Sequence, residues 1–304
     1  MVSMRHVLEQ GAMLRALGGA ALSALRAPGR GGAVECPGPW IEDEVAAPSA
    51  SLIAAYVRHV GGEPGAYRAT VPAHLFPQWG LALAARALAR THYPLVRVVN
   101  AGARLQMRAP LPSGERLLVK ARLEAVDDDG QRAILTQRIV TGTRAEPEAV
   151  IADVRARVPL QSPRPAKDRR GGSAATVPPD AREIAYVRLG RGAGLDFAKL
   201  TGDFNPIHWV PAAARAAGFG ALVLHGFSTL ARAMEATIGR VLSGNVAALR
   251  EVDVRFTRPL TLPAQVGVYV DPGGGLFVGD APGDTAYLAG RFEARFDFAG
   301  DRQP

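Results

Sequence analysis

The chain carries one unit twice, and this limits its fold more than any single residue does. Arg104-Leu-Gln-Met-Arg-Ala-Pro-Leu111 lines up with Asp253-Val-Arg-Phe-Thr-Arg-Pro-Leu260, each followed by a short turn and an alternating stretch. Upstream, Gln78-Trp-Gly-Leu-Ala-Leu-Ala-Ala-Arg-Ala-Leu88 lines up with Gly226-Phe-Ser-Thr-Leu-Ala-Arg-Ala-Met-Glu-Ala236 at nearly the same offset, so that Pro77 stands where His225 stands. Such self-similarity marks a repeated supersecondary unit. Trp79, Leu81, Leu83 and Leu88 among many Ala make the upstream segment apolar on most faces, which predicts a buried helix. Pro77 suits its first turn, where a residue without an N–H loses nothing. Residues 95–107, 116–126, 132–140 and 150–158 alternate apolar and polar between turn signals, which predicts an antiparallel meander. The expected class is α+β: two repeats, each a central buried helix wrapped by an antiparallel sheet.

At 304 residues the chain is long enough for two domains that each bury a core. We expect an N-terminal extension over 1–48, a first repeat over 49–160, a linker over 161–182 and a second repeat over 183–304. Pro and Gly dominate 28–48, and Ser51 is the expected cap of a short helix ending at Val60. The linker runs through Ser-Pro-Arg-Pro, Lys-Asp-Arg-Arg-Gly-Gly and Val-Pro-Pro, and its Arg169 and Arg170 read as solubility charges. An apolar run at 13–25 is broken by Arg15 and followed by Arg26-Ala-Pro-Gly-Arg30, which reads as a surface amphipathic helix and not as a secretion signal. No window reaches the ~20 uncharged apolar residues of a membrane span.

Asp203 and His208 are the residues that carry chemistry. They stand in Leu200-Thr-Gly-Asp-Phe-Asn-Pro-Ile-His208, across a Gly and an Asn-Pro turn. A helix with Asp196 as its cap should end at Gly202 in the C′ position that favours positive φ. Asn205 before Pro206 is held out of the α region. Phe204 and Ile207 are expected to anchor the loop to the core, leaving Asp203, Asn205 and His208 on its other side. Pro211 begins the next helix, whose positive end favours a neutral His208. Leu224-His-Gly-Phe227 then opens the apolar helix, whose free N–H groups can hold a developing negative charge. An acid and an imidazole beside such a helix end suit the addition or removal of water next to a thioester carbonyl. The glycines of Gly190-Arg-Gly-Ala-Gly194 suggest a dinucleotide fingerprint, but the third Gly is misplaced and no βαβ alternation follows, so that reading is rejected.

Gly-Asp-Phe-Asn-Pro-Ile-His, with Ala212-Ala-Ala214 after it and Leu-His-Gly-Phe further on, resembles the MaoC-like, R-specific enoyl-thioester hydratase family of hotdog proteins. Over the whole chain the resemblance is to the double-hotdog 3-hydroxyacyl-thioester dehydratases of the mycobacterial type. It implies a double hotdog and reversible syn hydration of trans-2-enoyl thioesters in fatty acid metabolism. Asp203 and His208 would hold the water, and the Gly226 N–H would polarise the thioester carbonyl. Asn205, His225, Phe227 and Met234 would line the substrate, with His225 open between substrate contact and a structural bond across the loop. The chain departs from the family at Val210, often an Asp, and at Met234, where some members use a Ser. Met234 is then expected to line an apolar acyl tunnel. No metal or redox cofactor is implied. The first repeat, with nothing matching Asp203 or His208, is a decayed partner that lends the substrate a wall.

The partner expected is an acyl-CoA or acyl-carrier-protein thioester, and a homodimer is compatible with this reading. The net charge of +8 comes almost wholly from Arg, with Lys only at 120, 167 and 199. It suits coenzyme phosphates or an acidic carrier better than nucleic acid, because no aromatic-rich basic stripe is present. The single Cys36 leaves no internal disulfide and suits a reducing cytoplasm. A non-catalytic acyl-binding hotdog and a hotdog thioesterase are the competing readings.

Overall fold

The computed structural model describes residues 2–11, 34–89, 91–94, 98–160 and 175–295. The run at 13–25, Arg90 and the linker residues 161–174, with Arg169 and Arg170, lie outside the described residues. Ten strands form one continuous antiparallel sheet. In chain order its strands are β1 (Ile41–Ala46), β3 (Val99–Met107), β5 (Arg116–Asp128), β6 (Arg132–Gly142), β7 (Val150–Pro159), β8 (Arg182–Leu189), β9 (Leu249–Phe256), β10 (Ala264–Val270), β11 (Gly275–Gly279) and β12 (Ala286–Ala294). A two-residue ribbon, β2 (Thr70–Val71) with β4 (Leu111–Pro112), stands apart. The helices are α1 (Ala50–Val60), α2 (Pro77–Leu88), α3 (Ala193–Thr201), α4 (Pro211–Ala216) and α5 (Gly226–Arg240).

The sheet order is β1-β5-β6-β7-β3-β9-β12-β11-β10-β8, so each repeat supplies one half in the same internal order. The halves meet at β3 and β9, where Arg104 lies opposite Asp253. These are the residues that head the two matching segments, so the repeat relation passes through this pair. The fold is the expected double hotdog.

Alternation puts Leu117, Val119, Ala121 and Leu123 of β5 on the buried face. Trp79 and Leu83 of α2 share a core with the first three of these, while Leu123 belongs to a smaller cluster with Leu88 and Tyr93. The indole N–H of Trp79 donates to Thr141 Oγ1 at 3.0 Å, which satisfies the one polar atom that this ring buries. The outer face carries ion pairs: Arg138 forks onto Asp153 at 2.7 and 2.9 Å and reaches Glu124 at 2.7 Å. Arg104, Arg122 and Arg155 are ion-paired too, with Glu251, Glu124 and Asp253.

The structure differs from the sequence expectations in several local features. β1 falls inside the segment read as an extension. The cap of α1 is Ser49, whose side chain accepts from Leu52 N at 3.2 Å, and not Ser51. α3 begins at Ala193 after Gly192, so Asp196 is not its cap; the Asp196 carboxylate instead accepts from Val2 N far away in sequence and from Lys199 Nζ one turn on in the same helix. Before β8, Thr176 already pairs with Thr285 on the body of the protein. No helix among the described residues is long and apolar enough to cross a membrane.

Candidate active site

α3 ends at Gly202, φ 79°, whose N–H returns to Ala198 O at 2.8 Å. This left-handed residue, costly for any side chain with a Cβ, turns the chain out of the helix and frees Asp203. Asn205 caps the short turn Pro206–His208, its side chain accepting from Ile207 N. Asp203 Oδ1 in turn accepts from Asn205 N at 3.3 Å. Phe204 and Ile207 are only half-buried and are not the anchors expected of them. Hydrogen bonds hold the loop instead. Val223 N–H donates to Ile207 O at 3.3 Å, and the Trp209 indole donates to Phe204 O at 3.1 Å.

His208 is buried, with Nδ1 2.7 Å from Val223 O. A carbonyl only accepts, so in neutral His208 the proton sits on Nδ1 and Nε2 presents a lone pair. Burial holds its pKa below the ordinary value, against the opposing effects of Asp203 and the Val223 bond. His225 stacks on His208 with ring centroids 3.6 Å apart and planes at 27°. Its Nε2 donates to the backbone carbonyl of Asp203 at 2.9 Å, and its Nδ1 is buried without a hydrogen-bond partner among the described residues. Burial first, then the neighbouring His208, pushes His225 down to about 4. Both imidazoles are therefore neutral near pH 7. His225 bonds the backbone across the loop, while the Asp203 carboxylate, with 24% of its side chain exposed, opens to solvent.

One ligand atom from each of Asp203, His208 and His225 lies within 4.8 Å of the others. Such a set could in composition bind a transition metal. The stacking argues against a fit, because face-to-face rings aim their lone pairs side by side and not at one point.

α5 opens at Gly226. The first intrahelical bonds to His225 O come from Ser228 N at 3.0 Å and Thr229 N at 3.2 Å. The N–H groups of Gly226 and Phe227 precede them and have no partner within the helix. A Cβ on Gly226 would meet the Phe256 ring, at 2.7 Å from its Cδ2 and Cε2. Phe227 is buried, edge-on to Phe76 and Phe256. Met234 is 1% exposed in the closed core. A small apolar cleft near the site lies between α5 and strands β8, β10 and β11 and is lined by Leu189, Leu224, Thr229, Leu260 and Val266 among others. Met234 is not among its lining residues.

Gly194 was missed by the sequence reading as a site residue. A Cβ there would collide with the carbonyl of His208, so α3 can approach the His208 loop only because Gly194 has none. Its signal was the glycine run weighed above for dinucleotides.

The first repeat shows what was lost. α1 ends at Gly61, φ 90°, as α3 ends at Gly202, but Gly62-Glu63-Pro64 follows where the second repeat has Asp203-Phe204-Asn205-Pro206. The space that a Cβ on Gly62 would fill is taken by the carboxylate of Glu235 from α5. The helix starts at Pro77 and Gly226 also correct the alignment by one residue: Phe76, not Pro77, stands in the place of His225.

Residues 187–275 match the protein-family profile described as "MaoC like domain". The second repeat therefore carries a MaoC-like domain. Over 99 residues the chain is 36% identical to 3-hydroxyacyl-thioester dehydratase X of Mycobacterium tuberculosis, covering 33% of this chain and 32% of that protein. It is 27% identical over 166 residues to an enoyl-CoA hydratase of the same organism, covering 53% of this chain and 56% of the relative. The chain thus spans about a third to a half of these relatives' lengths. The crystal structure of HtdX from Mycobacterium tuberculosis superposes with a TM-score of 0.64 at 21% identity, covering 84% of this chain and 100% of that one, a likeness of fold.

Proposed function

We propose that the protein hydrates trans-2-enoyl thioesters, and dehydrates (R)-3-hydroxyacyl thioesters, at Asp203, His208 and Gly226. The observation that supports this best is a neutral His208, its Nδ1 engaged by Val223 O, with a ring nitrogen within 4.8 Å of an Asp203 carboxylate oxygen and its ring stacked on His225, the residue before Gly226. In hydration the water oxygen bonds to C3 while one of the acid/base pair takes a proton from that water. The C2–C3 π electrons move to C2 and the thioester carbonyl, and a proton is then delivered to C2 on the same face. The Gly226 N–H donates to the thioester oxygen as it gains charge. Asn205 shapes the loop, and the small apolar cleft beside Leu224 marks where the acyl chain would enter, the walls parting to admit it.

The thioester is carried by coenzyme A or an acyl carrier protein, the exposed Arg residues suiting either anionic carrier. A cytoplasmic setting and a homodimer belong to the same reading, and fractionation and light scattering test them. The deciding experiment incubates enoyl and saturated acyl-CoAs of graded chain length with the protein. Loss of the enoyl absorbance band supports hydration. Release of free thiol from the saturated series would instead mean a thioesterase, and binding without either would mean an acyl-binding protein.

A further inference from the structure

The helix that delivers Asp203 is held from outside its own repeat. At the end of α3, Ala198 O accepts from Gly202 N–H, and the carbonyls of Lys199 and Leu200 are left without an intrahelical donor. Both are bonded by one side chain from far away in sequence: Nε2 of Gln10 lies 3.3 Å from Lys199 O and 3.1 Å from Leu200 O, and 3.2 Å from His6 O. Gln10 is 1% exposed, and its Oε1 makes no hydrogen bond among the described residues, so its donor side is what ties it here. The same segment is tied to α3 again at Val2, whose N–H donates to Asp196 Oδ1 at 3.1 Å and whose carbonyl accepts from Lys199 Nζ at 3.1 Å. Its other side is bound to the first repeat. Ser49 N and Oγ donate to the Glu9 carboxylate at 3.2 and 3.0 Å, and Gln78 Nε2 donates to Glu9 O at 3.3 Å. Ser49 caps α1 and Gln78 lies in the first turn of α2, so residues 2–10 strap α3 to both helices of the first repeat.

We propose that Gln10 is a positioning residue for the hydration step, fixing the end of α3 so that Asp203 stands at the right distance from His208. This rests on the hydratase reading above. A neutral amide suits the task. Its two N–H groups can serve adjacent carbonyls, whereas an ammonium or guanidinium would bury a charge without a counter-ion.

Gln10→Met keeps the volume and removes the donors. With crotonyl-CoA, kcat should fall by about tenfold or more at unchanged KM, since a misplacement near 1 Å can cost about 10². Gln10→Glu supplies a carboxyl whose burial raises its pKa, and only its protonated form donates to the carbonyls. The ratio of variant to wild-type kcat should therefore rise as pH falls, which loss of packing alone would not produce. Hydrogen exchange of the amides of residues 203–205 and 207–209 should be faster in Gln10→Met, and this needs no substrate. If the wild type hydrates no enoyl-CoA, the hydratase reading fails and exchange alone decides whether the strap positions the loop. Wild-type kcat in Gln10→Met, a flat pH ratio in Gln10→Glu, or unchanged exchange would each overturn the proposal.

Discussion

Asp203 and His208 act on one water in the proposed reaction, so their losses should not add. Asp203→Asn and His208→Ala should each lower turnover by roughly 10²–10⁴, and the double variant should be little worse than either; additive losses in the hydration assay would separate their roles. The oxyanion donor can be isolated by a pair of variants. Gly226→Ala and Gly226→Pro both bring a Cβ against Phe256, but only Pro removes the N–H. Turnover of the Pro variant should fall below that of the Ala variant by about 10²–10³, with circular dichroism as the folding control. Equal rates for the two would place the donor elsewhere. The acid and the imidazole were legible because the motif that carries them is local. Their tautomers were not, since these depend on acceptors brought together by folding, Val223 O for His208 and Asp203 O for His225.

At the scale of elements, two glycines decide where α3 stands. Gly202→Ala forces a left-handed conformation, which costs about 1–2 kcal/mol and displaces the Asp203 that follows. Gly194→Ala creates no such strain, because its backbone is not left-handed, yet its Cβ would strike the carbonyl of His208. We expect Gly194→Ala to depress kcat although Gly194 touches no reacting atom; a wild-type kcat would show that the loop yields freely. The central helices were readable from apolar content and the Pro77 signal. β1 was not, because this edge strand, Ile-Glu-Asp-Glu-Val-Ala, buries only Ile41. Without an alternating apolar face it looked like part of a solvated extension, and only its pairing with β5 identifies it.

Across the whole molecule, the repeat was readable in sequence as an offset, and the sheet closes it at Arg104 and Asp253. The contacts that lock the repeats together were not readable, because no local pattern announces a pair separated by half the chain. His74 Nε2 lies 3.0 Å from Glu235 Oε1, both side chains being at most 3% exposed, and Tyr56 OH donates to His74 O at 2.8 Å. Acid should also loosen this body. His225 sits near 4 in the fold and His59 near 3, both lowered first by burial, against an ordinary 6.5. Their contribution to stability is complete above pH 6.5 and is lost as pH falls toward those values, because the unfolded chain takes up the protons first. Urea midpoints should accordingly decline from pH 7 to pH 4, and less steeply in His225→Gln. The buried pair calls for a double-mutant cycle. His74→Leu takes one hydrogen-bond partner from the buried Glu235 carboxyl, leaving it the Tyr67 hydroxyl, and should cost about 1–3 kcal/mol in urea unfolding. Glu235→Leu leaves the imidazole its Tyr56 and Tyr67 hydroxyl partners and should cost less. The double variant replaces both polar groups by apolar volume, so it should be more stable than His74→Leu alone. Because the pair lies outside the Asp203–His208 crevice, the folded Glu235→Leu variant should turn over enoyl-CoA near the wild-type rate. A folded variant that binds substrate but no longer hydrates it would mean that the first repeat's cluster takes part in the chemistry.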